Sequence, residues 1–290
     1  MRSALPSRGR PVLNEASTFG TLLREWRRLR RRSQLTLALE ADVSARHLSF
    51  LETGRTGPSR EMVLHLCSAL DVPLRERNRL LHAAGYAPAY RETGLSDPAM
   101  AHMVGALRLI LKQHEPFAAR AMDRHWNLVM VNEAYLRALA LLFGAPCPLA
   151  AYDVLPEPRL NVLRVLFDPD GLRPHVVNWD EVARDVLARV GREAALDGDG
   201  ETRALLADLV RVSGMPAAIA LVAPDPQALV IPLELRMGGQ RVRFFTTIAT
   251  LGAPQDITLA ELRIEAFHPA DAHTEAAMRT LATPAAPSVA

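Results

Sequence analysis

The arginines near the start of the chain are the residues whose chemistry is easiest to infer. Residues 1–95 hold 16 arginines and nine acidic residues, a net charge of +7, whereas residues 96–290 carry 18 basic and 23 acidic residues, a net charge of −5. Nearly all of the basic residues are arginines, since Lys112 is the only lysine. The planar guanidinium forms paired hydrogen bonds with phosphates and with guanine edges. The first part of the chain is therefore suited to a nucleic-acid partner.

Two other groups of side chains offer metal ligands, but each has a simpler explanation. His268, Asp271 and His273 supply imidazole and carboxylate groups, which suit zinc or iron. They flank Pro269 at a predicted helix start, where Asp271 complements the helix dipole. The acidic segment 197–201 lacks the ligand spacing of an EF-hand loop and is typical of a surface turn. We predict no metal site.

The sequence lacks the local motifs that reveal the commonest enzyme mechanisms. It contains no Gly-x-Ser-x-Gly elbow, Walker loop, Gly-x-Gly-x-x-Gly or His-Glu-x-x-His. We therefore predict no catalytic residue and no required cofactor. Cys67 and Cys147 fit no metal or redox spacing, so reduced thiols are expected. With neither a signal peptide nor the ~20 apolar residues of a spanning helix, the chain is expected to be cytoplasmic and to have no membrane partner.

Helical periodicity predicts five short amphipathic helices in residues 19–84. In the first of them, apolar residues recur at spacings of three and four from Phe19 to Leu29. Ser33 and Ser44 are placed to cap the second and third helices. Between these helices lies Asp42, and aspartate tolerates the left-handed backbone that such a break requires. From Ser33 to Glu52, the order of helix, short break and helix is the one that a DNA-reading helix-turn-helix requires.

The second part of the chain predicts an α+β domain. Its predicted strands are Ala118–Met122, Leu128–Val131, Leu229–Met237, Val242–Ile248 and Leu262–Ala266. Helices are predicted between the second and third strands and at Ala270–Ala282. Asn178 and Glu181 are expected to form a capping box for one of these helices. Alternation of apolar and polar residues predicts an antiparallel sheet with one buried face, so Leu262 and Ile264 should point inward and Glu265 outward.

These patterns predict a multidomain chain with five segments. They are a flexible arm (1–18), an all-α five-helix helix-turn-helix domain (19–84), a linker (85–98), an α+β domain with an antiparallel sheet (99–282) and a disordered tail (283–290).

Several segments also resemble known families. Gln34-Leu35-Thr36-Leu37-Ala38, Val43-Ser44, Leu48-Ser49-Phe50-Leu51-Glu52-Thr53-Gly54-Arg55 and Pro58-Ser59 resemble the phage-repressor-like (Cro/C1, xenobiotic-response-element) DNA-binding domains, a resemblance that covers Phe19 to Ala84. Ala83-Ala84-Gly85-Tyr86-Ala87-Pro88, Pro169-Asp170-Gly171-Leu172-Arg173-Pro174, Val177-Asn178-Trp179 and Phe244-Phe245-Thr246-Thr247 resemble bacterial regulators with an MmyB-like ligand-binding domain, which covers Met103 to Leu281. The second resemblance implies a PAS-like fold that binds a small apolar ligand, with a fatty acid as the favoured class.

The first resemblance implies a set of DNA contacts. Gln34 and Ser44 occupy positions at which family members hold phosphates, and Arg55 looks like a further phosphate contact. The part of the third helix that faces bases carries Ala45, Arg46, His47, Ser49 and Phe50. Arg46 is the strongest candidate for reading sequence, because a bidentate arginine–guanine contact discriminates by ~1–3 kcal/mol. The other basic side chains fit phosphate contact and a solvated helix face equally well: Arg24, Arg27 and Arg30–Arg32.

Candidate ligand contacts in the second domain are mostly large apolar side chains. The apolar candidates are Trp126, Tyr135, Leu139, Trp179, Phe244, Ile248, Leu262 and Ile264. Each of them is also explained as an ordinary core residue. Arg173 and His175 are candidate contacts for a ligand head group.

Together these features predict a one-component transcription regulator. The helix-turn-helix would bind double-stranded operator DNA, and a homodimer is expected because one such domain covers half of a palindromic site. The second domain would bind a small apolar effector, dimerise, or do both. Two alternatives stay open: an enzyme fused to a DNA-binding module, and a second domain that serves dimerisation alone.

Overall fold

The computed structural model describes residues 18–197, 200–221 and 230–282. The chain divides into two compact units, Met1–Arg91 and Glu92–Ala290, and the division falls within the segment 85–98 predicted as a linker. Parts of four predicted segments lie outside the described residues. They are residues 1–17 of the arm, residues 198–199 of the acidic turn, Leu229 at the start of the third predicted strand, and the whole tail 283–290.

The first unit is the predicted bundle of five helices. Its helices are α1 (Phe19–Leu29), α2 (Gln34–Glu40), α3 (Ala45–Glu52), α4 (Arg60–Ala69) and α5 (Leu74–Ala83). Serine hydroxyls cap three of them, as Ser33 accepts from the Thr36 N–H, Ser44 from the His47 N–H and Ser59 from the Met62 N–H. Each cap satisfies a backbone donor that the first helical turn leaves free. The predicted helix-turn-helix fold is confirmed.

The two helices α1 and α3 approach each other closely at Gly20. A methyl group on Gly20 would lie 2.5 Å from the carbonyl oxygen of Leu51. Leu22, Leu23, Leu48 and Leu51 are all buried in the same core. The absence of a side chain at Gly20 thus lets α1 support the back of α3.

The segment that follows α5 is held by hydrogen bonds, first to residues of the first unit and then to residues of the second unit. Asn78 Oδ1 accepts from the Tyr90 N–H at 3.1 Å, and the Tyr86 hydroxyl donates to the Pro58 carbonyl at 2.9 Å. Further along, the Thr93 hydroxyl donates to Asp256 at 2.6 Å within the second unit. The segment predicted as a linker is therefore divided between the two units.

The second unit is an α+β domain built on one antiparallel sheet. Its elements are α6 (Ala101–Gln113), β1 (Ala119–Met122), β2 (Leu128–Val131), α7 (Glu133–Phe143), α8 (Val162–Phe167), α9 (Trp179–Asp197), α10 (Gly200–Ser213), β3 (Leu233–Met237), β4 (Gln240–Ala249), α11 (Ile257–Ala260), β5 (Arg263–Pro269) and α12 (Ala272–Ala282). The strand order is β2-β1-β5-β4-β3. Along the chain, two strands are followed by several helices and then by three strands. This is the order of elements expected from the resemblance to a PAS-like fold.

Both faces of the sheet are buried along β2, β1 and β5, so the prediction of a single buried face was wrong for these strands, whereas β4 keeps one exposed face that carries Phe245 and Thr247. On one face, a core that includes Phe244 and Phe267 packs against helices α7 to α10. On the other face, Leu107 and Leu111 of α6 pack against Ile264 and neighbouring strand residues. A helix that precedes the first strand covers this second face, which the alternation within the strands does not reveal.

The third predicted strand is shorter than expected. It was predicted from Leu229 onward, but β3 begins at Leu233. Pro232 has no backbone N–H to continue the hydrogen-bond ladder, so it ends the strand on that side. The Asn178 amide donates to the Pro232 carbonyl at 2.8 Å, and this polar contact takes the place of strand pairing.

Candidate functional site

The third helix presents the face that was predicted to meet DNA. Ser44, Ala45, Arg46 and Arg55 are exposed, and the remaining predicted contacts on α3 are half-buried: His47, Ser49 and Phe50. Leu48 and Leu51 are buried beneath them and hold the helix on the core. The geometry leaves the beginning of α3 open to a partner.

The turn before α3 has the backbone that the sequence predicted. Asp42 lies in the left-handed region with φ of 47°, which confirms the prediction. The Ser44 Oγ accepts from the His47 N–H at 3.1 Å. Since the hydroxyl accepts in this bond, its own proton is free to be donated to a phosphate oxygen.

Both arginines that were predicted to contact DNA on α3 and just after it lie over the ring of Phe50. The guanidinium carbons of Arg46 and Arg55 lie 5.3 Å and 5.6 Å from the centre of its ring. A cation over an aromatic face is attracted by the ring's electrons. Phe50 thereby positions both arginines, a role that the sequence did not reveal.

Glu52 is a buried carboxylate that organises the inner side of the helix-turn-helix. It accepts from Arg27 Nε at 2.6 Å and from Gln34 Nε2 at 2.8 Å. Arg24 Nε lies 3.5 Å from the same carboxylate. Burial raises the pKa of Glu52, but the hydrogen bonds from Arg27 and Gln34 and the nearby positive charges outweigh burial and hold this pKa below its ordinary value.

Several arginines of α1 and of the residues just after it therefore have partners inside the unit. Arg24 and Arg27 bind Glu52, and Arg30 Nε donates to the Leu70 carbonyl at 2.8 Å. Arg32 Nε lies 3.3 Å from Glu40 in a more exposed pair. These contacts favour a structural role for Arg24, Arg27 and Arg30 over the phosphate contact that the sequence left equally open.

The second unit holds a cavity of about 150 Å³ between the sheet and its helices. Four of the predicted ligand contacts line it: Trp126, Tyr135, Leu139 and Phe244. Leucine, valine, isoleucine and methionine side chains provide much of the remaining wall. An apolar cavity of about 150 Å³ in another protein binds a molecule the size of benzene, so this one has room for a small ring or a short aliphatic chain.

The cavity wall also contains a polar cluster, of which only Tyr135 was predicted as a ligand contact. Arg120 Nη2 lies 2.6 Å from Glu265 Oε2, and Arg120 Nη1 donates to the Tyr135 hydroxyl at 3.1 Å. Burial lowers the pKa of Arg120, but the charge of Glu265 and the bond to Tyr135 outweigh it and raise this pKa. Because Glu265 was predicted to point outward, the pattern of the strand gave no signal for this cluster.

Six predicted ligand contacts lie away from the cavity wall. Leu262 and Ile264 are buried on the opposite face of the sheet, and Ile248 is 39% exposed. Glu265 and Phe267 occupy the cavity face of β5 instead. The other three are grouped near the start of α9, where the Arg173 guanidinium carbon lies 4.9 Å from the Trp179 ring centre and His175 contacts Phe143.

Trp126 is held at the cavity by an unusual backbone and by polar contacts. Its φ is 68°, a left-handed value that a bulky side chain rarely adopts. The indole N–H donates to Glu193 at 3.0 Å, and Glu193 also accepts from Arg263 at 2.8 Å. These bonds stabilise a strained residue next to the cavity, as is common at binding sites.

Two of the residues considered as metal ligands, Asp271 and His268, have other partners. Asp271 Oδ1 accepts from the Thr274 N–H at 2.7 Å at the start of α12, and this bond lowers the pKa of Asp271. His268 pairs with the Thr247 hydroxyl at 3.0 Å and stacks on Phe245. Among the described residues, no three His, Cys, Asp or Glu side chains are grouped to hold a metal ion. Within the same part of the chain, no helix is long and apolar enough to cross a membrane.

Comparison with known proteins agrees with this geometry. A family model described as the MmyB-like transcription regulator ligand binding domain matches residues 104–281. A model described as a helix-turn-helix domain matches residues 18–80. No curated protein matches the chain.

Proposed function

The chain belongs to the MmyB-like transcription regulators, and from this premise we propose that it binds operator DNA through α3 and adjusts that binding to a small effector held in the cavity of the second unit. Both domains are those of a transcription regulator, which favours regulation over catalysis. As a protein that acts on operator DNA, it would work in the cytoplasm.

The observation that carries the DNA-binding proposal is the arrangement of Arg46, Phe50 and Arg55. Both guanidinium groups lie over one ring on the exposed side of α3. Arg46 near the start of the helix is placed to reach a base edge, while Arg55 beyond its end is placed to reach the backbone. Ser44, and the second amide N–H of Gln34, would supply further phosphate contacts.

The proposed effector is a small apolar molecule with an aliphatic chain, similar in that respect to a fatty acid. The wall supports this class because Leu139, Leu142 and Val186 offer contacts suited to hydrocarbon. The size of about 150 Å³ favours a short chain, and a longer chain would need these side chains to shift.

A homodimer completes the proposal. One helix-turn-helix reads only half of a palindromic site, so two copies would bind successive half-sites about one helical turn apart. The effector would alter operator affinity by binding more tightly to one of two dimer arrangements.

Genome-wide footprinting with the full chain tests the DNA-binding proposal. We expect discrete protected sites that share a palindromic sequence. Binding that is uniform along the genome, with no shared sequence, would contradict a regulator that reads bases through Arg46.

Mass spectrometry of extracts from denatured protein tests the effector. A co-purifying compound with an aliphatic chain supports the proposed cavity function. A bound metal ion together with hydrolytic activity would favour the enzyme, and the absence of both would favour a second unit that serves dimerisation alone.

A further inference from the structure

The polar cluster in the cavity wall is electrically balanced. We propose that Arg120, Glu265 and Tyr135 make the cavity select an effector whose polar group is uncharged, such as a hydroxyl, an ester or an amide. The carboxylate form of the same chain is rejected, so the inferred effector is an uncharged relative of the fatty acid that the family resemblance implied. Glu265 is the residue that determines this specificity. The inference rests on the proposed function, since it names the head group of the proposed effector.

Glu265 neutralises Arg120 within the wall itself. The side chains of Arg120 and Glu265 are only 11% and 7% exposed, and Arg120 donates to Glu265 through both Nε and Nη2. Rings of Tyr135 and Phe267 flank the guanidinium, with centres 5.8 Å and 5.3 Å from its central carbon. A buried pair with this geometry offers an incoming ligand no uncompensated positive charge.

The other arginine of the wall has a carboxylate partner as well. Arg189 lines the cavity together with Asp185, and their side chains lie 3.5 Å apart one helical turn from each other on α9. Among the described residues that line the cavity, each arginine therefore has an acidic partner from the same wall. The formal charges of the two arginines and the two carboxylates in the wall therefore sum to zero before any ligand enters.

A carboxylate would meet a penalty in either position that it could take at Arg120. Beside the intact pair, it would bring two negative groups to one guanidinium in a place where water screens them poorly. In place of Glu265, it would leave that carboxylate buried without its partner. An uncharged group avoids both penalties, because it can accept from a remaining guanidinium N–H or bond to the Tyr135 hydroxyl.

Octan-1-ol and octanoate are matched probes for this proposal because they share one aliphatic chain and differ in charge. Binding to the full-length protein is followed at pH 7.5 through the indole N–H resonance of Trp126, which lines the cavity. We expect octan-1-ol to bind at least about tenfold more tightly than octanoate. Octanoate that binds as tightly as octan-1-ol overturns the proposal, and this comparison requires no variant.

Glu265→Gln separates this mechanism from a general preference for neutral ligands. It removes the charge and keeps the shape, so the octanoate affinity should rise and the preference for octan-1-ol should fall by about tenfold. The control is Glu234→Gln, because Glu234 is a buried strand carboxylate paired with Arg243 outside the cavity wall. The control should keep the wild-type ratio.

The possible outcomes separate a failure of this inference from a failure of the proposed function. An unchanged ratio in Glu265→Gln, or an equal change in Glu234→Gln, overturns the role of Glu265 while leaving the cavity as an effector site. If neither probe binds the wild-type protein, the proposed effector site fails, and the inference fails with it.

Discussion

At the scale of single residues, Arg46 and Arg55 share an aromatic partner but have different expected tasks. Arg46→Ala should weaken binding to the cognate operator by ~1–3 kcal/mol, because it removes a contact to a base edge, and should affect scrambled DNA much less. Arg55→Ala should weaken binding to both duplexes similarly and make the salt dependence shallower by about one released counterion. Gel-shift titrations on both duplexes at several salt concentrations measure these effects. An equal loss on both duplexes for Arg46→Ala would contradict its role in reading bases.

Glu52 is predicted to be a stability residue of the DNA-binding unit. Glu52→Gln removes the charge that holds Arg24 and Arg27, and breaking such a buried pair costs about 3 kcal/mol. Hydrogen exchange of α1 and α3 in the full chain measures the loss. Glu40→Gln is the control, since Glu40 and Arg32 form a more exposed pair, and it should cost less than about 1 kcal/mol.

The lowered pKa of Glu52 also predicts a direction of pH dependence. The folded state binds a proton at Glu52 less readily than the unfolded state, whose pKa is near the ordinary 4.5. The stabilisation is therefore fully present above pH 4.5 and is lost as the pH falls through the lower folded pKa. Exchange free energies of α1 and α3, corrected for intrinsic rates, should fall over that range in the wild type. Glu52→Gln should lack this component, and an identical pH profile would contradict the assignment.

At the scale of elements, the support of α3 by α1 depends on Gly20. Gly20→Ala places a methyl group 2.5 Å from the Leu51 carbonyl and should destabilise the unit by ~1–3 kcal/mol, because the backbones must separate. Gly57→Ala is the control, since a methyl group there meets nothing within 4 Å. Hydrogen exchange of α3 distinguishes the two variants. Equal protection in both would show that α1 and α3 can separate without cost.

The DNA-binding elements could be predicted because their signals are local. Ser33 and Ser44 cap helices that begin just after them, and Asp42 takes the left-handed backbone within the same few residues. No distant contact is needed to recognise such signals. The contribution of Glu52 was not predictable in this way, because it depends on Arg27 from another helix.

The cavity could be predicted only in part because its wall is assembled from distant segments. Trp126 and Phe244 are large apolar residues, which are good candidates for any cavity. Glu265 lies inward because β5 pairs with β1, opposite Arg120, and a buried charge contradicts the alternation from which the strand was predicted. Asn178 directly precedes α9 and its side-chain amide donates to Glu181 at 3.1 Å, but its side-chain oxygen accepts from the Glu234 N–H at 3.0 Å and so anchors β3 rather than capping the first turn of α9.

At the scale of the whole molecule, the distribution of charge separates two kinds of binding. The first 95 residues carry +7 and the remainder −5, so the total of +2 understates the attraction of the first unit for DNA. Operator binding should weaken steeply with salt, since it releases counterions from the DNA. Binding of an uncharged effector in an apolar cavity should be almost independent of salt. These two responses allow each unit to be tested within the intact chain.

The regulatory proposal predicts that the two binding sites are energetically coupled. Saturating octan-1-ol should change the dissociation constant of the operator complex by about fivefold or more, and operator DNA should change the octan-1-ol affinity by the same factor. Gel shifts measure the first quantity and the Trp126 resonance measures the second.

Ala138→Phe should fill the cavity and abolish the response to octan-1-ol while leaving basal operator binding unchanged, because Ala138 lines the cavity. If the operator affinity of the wild-type protein does not change when octan-1-ol is bound, the cavity is occupied without regulating DNA binding. A ligand shifts an equilibrium only through a difference in its affinity for the two states.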